Sequence, residues 1–153
     1  MGKSGQLFVM SEFLVRGWNV GIPEVDLGDD IFVVHQINGL LARVQVKSSI
    51  AIKRSTGFSA RFVVSMRQLR DVFGDPRVHF VFVVRLENGW SRPLLFAQEV
   101  LLDYVQNFQM GSISNDRLSL YFSFSTDMKE AACSGTDISS HIGDYSYFPV
   151  VEL

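Results

Sequence analysis

The sequence predicts an α/β fold built on a mixed β-sheet flanked by helices. Three observations predict it: an amphipathic stretch near the N-terminus, recurring runs of β-branched and aromatic residues, and one run, "VHFVFVVRL", that is apolar almost throughout. Alternating runs have one solvated face, whereas a continuous apolar run marks a central strand buried on both.

The elements follow in order. "GQLFVMSEFLVRGW" places apolar residues at 7, 8, 10, 13, 14 and 18, predicting a helix over 4–16 that Gly17 stops. "WNVGIPEV" reads as a short extended entry, because Pro23 opposes a helix. "DDIFVVHQ" is a strand, "INGL" supplies the Asn-Gly pair of a tight hairpin, and "LARVQVKSSI" is the returning strand. "FSARFVVSM" is a further strand, and "RQLRDVFGDP" a short helix ended by Gly74 and Pro76. After "VHFVFVVRL", "ENGW" turns the chain, "RPLLFAQ" pairs back, and "EVLLDYVQNF" reads as a helix. "RLSLYFSFS" alternates as a strand. The tail from "MKEAACSG" is expected to begin helical and end irregular.

At 153 residues, with 47% hydrophobic and 20% charged residues, the chain fits one domain over 1–153 with a sizeable core. Thirteen Phe make that core aromatic and strand-rich. The single cysteine, Cys133, excludes an internal disulfide and reads as packing in a reducing compartment. No apolar run approaches the roughly 18 residues of a membrane span. The N-terminus makes a poor signal peptide, and Gln6 stands where acylation of the Met-Gly start requires Ser or Thr, so a cytoplasmic location is expected.

The net charge of −2 argues against generic polyanion binding, but the charge is unevenly distributed. Residues 43–77 carry eight basic side chains against two acidic ones. That segment is either a phosphate-backbone surface or a solvated face balanced in space by the acidic C-terminal part. His35, His79 and His141 lack zinc-ligand spacing, and His79, inside the strongest apolar run, reads as a core or interface histidine.

Candidate chemistry lies in the first hairpin. Alternation puts Asp30 with Phe32 and Val34 on one face, while Arg43, Gln45 and Lys47 share a face of the next strand, backed by Val44 and Val46. Three polar side chains in step make either a solvated face or a site. Joined by Asp30, they offer a carboxylate, an amide carbonyl and an ammonium. Hard oxygens of this kind suit Mg²⁺, and a neighbouring lysine can orient a nucleophile and offset charge developing at phosphorus. The chemistry described is metal-dependent phosphodiester hydrolysis.

Asp30 followed by Gln45-Val46-Lys47, together with "RGWNV", "VDLGDD" and "RVQVKSS", resembles the PD-(D/E)XK nuclease superfamily. In layout the chain is similar to bacterial members with a D…QxK motif and to archaeal Holliday-junction resolvases; residues 2–50 carry the resemblance. It implies a restriction-endonuclease-like α-β-β-β-α-β core with its site on the second and third strands. By the same resemblance Asp30 and Gln45 ligate the metal, Val46 offers it a backbone carbonyl, and Lys47 is the catalytic lysine. The implied cofactor is Mg²⁺, which Mn²⁺ can replace, and the implied substrate is DNA, with Arg43, Lys53, Arg54 and Arg61 on its backbone. A homodimer would suit cutting both strands of a duplex.

The chain departs from the pattern at two acidic positions. Gln45 replaces an acid, and Gln6 stands eleven residues before Gly17, where resolvase-type members carry a glutamate. Glu12 is six positions further on and faces away from Gln6 around the helix. Asp26 and Asp29 are nearby acids, though alternation turns Asp29 to the opposite face from Asp30. These substitutions leave a second reading open: a catalytically silent member of the same fold that binds nucleic acid or protein. A partner-binding protein unrelated to nucleic acid is a third, favoured by the net negative charge.

Overall fold

The computed structural model describes residues 2–24, 30–70 and 76–152. Helix α1 (Gly2–Leu14) leads into β1 (Trp18–Gly21), β2 (Ile31–His35) and β3 (Leu41–Ile50). Strands β4 (Ile52–Arg54) and β5 (Gly57–Ser65) follow, then the short helix α2 (Met66–Arg70). Next come β6 (Arg77–Leu86), β7 (Gly89–Trp90), β8 (Leu94–Ala97) and helix α3 (Gln98–Asn107). Strands β9 (Ser112–Ser114), β10 (Arg117–Phe124), β11 (Ala131–Cys133) and β12 (Thr136–Asp137) close the order.

The first sheet runs β1-β2-β3-β6-β7, with β8 also paired to β6. Strands β1, β2 and β3 form an antiparallel meander, and β6 lies parallel to β3. This is the mixed sheet that the sequence predicts; the order α1-β1-β2-β3 leads through β4 and β5 of a second sheet before α2 and β6 follow. Strand β6 is buried on both faces, as its unbroken apolar run requires.

A second, antiparallel sheet, β12-β11-β10-β5-β4 with β9 on β10, covers part of one face of the first. Phe62 of β5 and Phe122 of β10 meet Phe82 of β6 at centroid separations of 5.0 and 5.2 Å. The helical start expected for the tail is replaced by β11 and β12. Ala131 and Cys133 bury one face against β10, opposite Phe124 and Phe122, and that pairing outweighs the local helix preference of the alanines. Cys133 is buried, and desolvation pushes its thiol pKa up, in keeping with a packing role.

The opposite face of the first sheet carries α1 and the C-terminal tail around Val9, Phe13, Trp18, Val44 and Phe148. The buried face of α1 is Gly5, Val9 and Phe13, while Leu7 and Leu14 are about half exposed. The helix is therefore rotated from the face its apolar pattern suggests. Gly5 explains this: a Cβ there would lie 2.7 Å from Ser48 Cβ, so only glycine lets the helix approach β3 so closely. Gly17, at φ +81°, turns the chain out of the helix into β1. No helix among the described residues is long and apolar enough to cross a membrane.

Candidate active site

The register of the first sheet decides what faces what. Ile31 pairs with Val44, so Asp30, one residue earlier, lies opposite Gln45 on the same face. In the parallel ladder Gln45 neighbours Phe80 and Lys47 neighbours Phe82. Those phenylalanines lie beneath the second sheet and α2, whereas Phe32, Val34 and Leu41, on the β2 side of the same face, remain half-buried or exposed. Asp30, Gln45 and Lys47 thus stand at the seam where the covered half of the sheet meets its open half.

Asp30 is tied into the seam through its backbone and its side chain. Its N–H donates to the Val44 carbonyl at 3.1 Å, and its carboxylate Oδ2 accepts the Val46 N–H at 2.6 Å. The carboxylate thereby continues the ladder past the end of β2. A strand residue directs its N–H and C=O to one edge, so the Val46 carbonyl is presented on the edge that faces Asp30. Burial lowers the pKa of the Lys47 ammonium, and the Asp30 carboxylate opposes that shift.

Glutamines build the rest of the seam. Gln45 is 6% exposed, and its Nε2 donates to Gln68 Oε1 of α2 at 2.9 Å. Gln98, at the start of α3, donates to the carbonyls of Gln68 and Leu69 at 3.2 and 3.1 Å, satisfying groups that a five-residue helix leaves without intrahelical partners. Gln68 and Gln98 carry no motif or spacing that the sequence exposes; only folding brings them to Gln45. Gln6 Nε2 donates to the Asp30 carbonyl at 2.6 Å. Position 6 therefore does lie beside Asp30, although it carries an amide. Glu12 is engaged elsewhere, 3.3 Å from Arg16 and 3.4 Å from the Tyr145 hydroxyl. Asp26 and Asp29 lie outside the described residues.

The carboxylate of Asp30, the amide of Gln45 and the carbonyl of Val46 supply oxygen donors of the class that a hard divalent cation takes. Among the described residues, no cluster of three or more His, Cys, Asp or Glu side chains adds to them.

The four basic residues expected on a nucleic-acid backbone are not gathered on one surface. Arg43 shares the face of Gln45 and donates to the Pro76 carbonyl at 3.3 Å. Lys53 lines a cavity of about 490 Å³ with Phe58, Leu86 and Trp90, on the inner side of β4. Arg54 and Arg61 point from the outer face of the second sheet, bonded to Ser59 Oγ at 2.9 Å and Ser119 Oγ at 3.2 Å.

The remaining candidates take part in packing. His79 is 3% exposed, sits against Tyr147 and Phe148, and has its pKa pushed down to about 4 by burial, with Arg77 adding to the shift. Of "GDYSYF", Tyr145 lies under the Arg16 guanidinium at 3.5 Å and Phe148 is fully buried.

No family model matches the chain, and no curated protein matches it. Among solved structures the chain is similar to a bacterial homing endonuclease, I-Ssp6803I, at 24% sequence identity and a TM-score of 0.46, with 67% of each chain covered.

Proposed function

We propose that the seam is the active site of a Mg²⁺-dependent endonuclease acting on DNA. The observation that carries this reading is the bond of the Asp30 carboxylate to the Val46 N–H at 2.6 Å, which sets it beside the segment of β3 that bears Gln45 and Lys47. Asp30, Gln45 and the Val46 carbonyl would hold the cation, which when bound supplies a polarised phosphate oxygen and a more acidic water. Lys47 orients the attacking oxygen and, as an ammonium, offsets the charge that builds on the phosphoryl oxygens. Desolvation brings its proton affinity closer to neutrality, so it can also hold or release a proton. Arg43, on the same face, neutralises the backbone on the open side.

Cleavage of plasmid and branched DNA with Mg²⁺ or Mn²⁺ tests this. Activity that Lys47→Ala removes, with the fold unchanged by circular dichroism, supports it. Equal activity in the variant, or no cleavage of either DNA by the intact protein, overturns it.

A second reading, a silent module that binds nucleic acid without cutting it, is favoured by the engagement of both glutamines in protein hydrogen bonds, Gln6 with Asp30 and Gln45 with Gln68. It requires salt-sensitive DNA binding without cleavage.

A further inference from the structure

The outer face of the second sheet points away from both cores. Tyr121 on it is 58% exposed, and Arg54, Arg61 and Arg117 are exposed as well. The register gathers them: Arg61 pairs with Tyr121, Ser59 with Ser123, Val63 with Ser119 and Ser65 with Arg117, while Arg117 also pairs with Ser114 across β9. Arg54 joins them through its bond to Ser59. The face carries arginines, a row of serines, the partly exposed Val63 and one exposed aromatic ring.

Arg61 and Arg117, with Ser112, Ser114, Asn115 and Ser119, line a shallow cavity of about 530 Å³ that contains no carboxylate. Asp116 lies in the β9–β10 turn, and Glu130 and Asp137 line a separate cavity with Ser123. The Arg61 guanidinium lies 5.7 Å from the centroid of the Tyr121 ring, so cation and ring present themselves together. Arginine forks beside clustered hydroxyls match phosphodiester oxygens. A face with an exposed aromatic between arginines suits a strand whose bases are free to stack, which a duplex does not offer.

We propose that this face binds single-stranded nucleic acid, with Arg61, Arg117 and Arg54 on successive phosphates and Tyr121 stacked on a base. The surface is separate from the seam, so it does not depend on cleavage there. In the chain it is assembled from residues 54–61 and 117–121, which only the β5–β10 pairing brings side by side.

The test is fluorescence anisotropy with a 5′-labelled oligothymidine of about 20 nucleotides, its RNA counterpart and a duplex of the same length, titrated at several salt concentrations. An Arg61→Ser/Arg117→Ser double variant is expected to weaken single-strand binding at least tenfold. It should also reduce the salt slope by about 1.4, two phosphate contacts at roughly 0.7 each. Tyr121→Ala should weaken binding about fivefold or more with the slope unchanged, because stacking releases no counterion. Lys3→Ser, at the exposed start of α1, should bind as the intact protein does. The relative affinity for the DNA and RNA oligomers tells which sugar the face accepts. Single-strand affinity and salt slope unchanged in the double variant, or tighter binding of the duplex than of both single strands, overturns the proposal. Binding lost only with the seam variants assigns the strand to the seam instead.

Discussion

The Asp30 carboxylate accepts the backbone N–H of Val46 at 2.6 Å, so a side chain carries the hydrogen bonding along β3 beyond its pairing with Ile31. The residue assigned to a metal therefore also holds the edge of β3. Removing the carboxylate leaves a part-buried N–H without its partner. Asp30→Ala should lower stability by about 1–3 kcal/mol, and Asp30→Asn by less, because an amide oxygen still accepts. Chemical denaturation in the absence of divalent metal measures this; unchanged stability in Asp30→Ala would mean that Val46 finds another acceptor.

Gln45→Glu sets a second carboxylate opposite Asp30 in a nearly closed position. Without metal the variant should be less stable than the parent, since like charges opposed across strands repel and burial strengthens the repulsion. Mg²⁺ or Mn²⁺ should reverse the loss, returning about 2.7 kcal/mol when the free metal reaches a hundred times its Kd. Thermal melts with and without metal read both effects. A variant whose melting temperature ignores metal would show that no cation sits between positions 30 and 45.

His79 gives stability a pH dependence whose sign follows from its shift. Its pKa is about 4 in the folded protein and near 6.5 unfolded, so between those values the unfolded chain binds more protons. Stability should therefore be complete above pH 6.5 and fall as the pH drops toward 4, by a total on the order of 3 kcal/mol. His79→Leu should remove that slope. Its Nδ1 has no hydrogen-bond partner among the described residues, so the leucine variant should lose little at neutral pH. Urea unfolding across pH 4–7 distinguishes the two proteins.

Gly5 sets how closely α1 lies on β3, and Gln6 follows it. Gly5→Ala drives a methyl to within 2.7 Å of Ser48 Cβ, an atom fixed to the strand, so the helix must move. We expect a loss of about 1–3 kcal/mol, typical of overpacking, together with a weaker Gln6–Asp30 bond. Guanidinium unfolding of Gly5→Ala and of the Gly5→Ala/Gln6→Ala pair tests this. If the bond is already lost in the single variant, adding Gln6→Ala should cost less there than it does in the parent protein.

Much of the fold was legible because the relevant signals are local. Period-two alternation marks β3 and β10, the unbroken run marks β6, and the glycine after Arg16 marks the end of α1. Alternation alone also put Gln45 and Lys47 on one face. The signals failed where elements are short or where a partner decides the outcome. Strands β4 and β9 are three exposed residues each, and β11 exists because β10 offers Phe122 and Phe124 a buried surface to share. The face of α1 was misjudged because a glycine, which has no hydropathy signal, is what packs.

By itself the sequence determined the mixed α/β class, the order of the principal elements and the placing of Gln45 and Lys47 on one face of β3, since these rest on chain periodicity and spacing. Only the tertiary structure decided that Asp30 lies opposite Gln45, that Gln68 and Gln98 close the seam, and that the basic segment divides between the two sheets. Those outcomes depend on strand register and on contacts between residues 23 to 58 positions apart, where pairing across the fold, and not local propensity, sets which side chains meet.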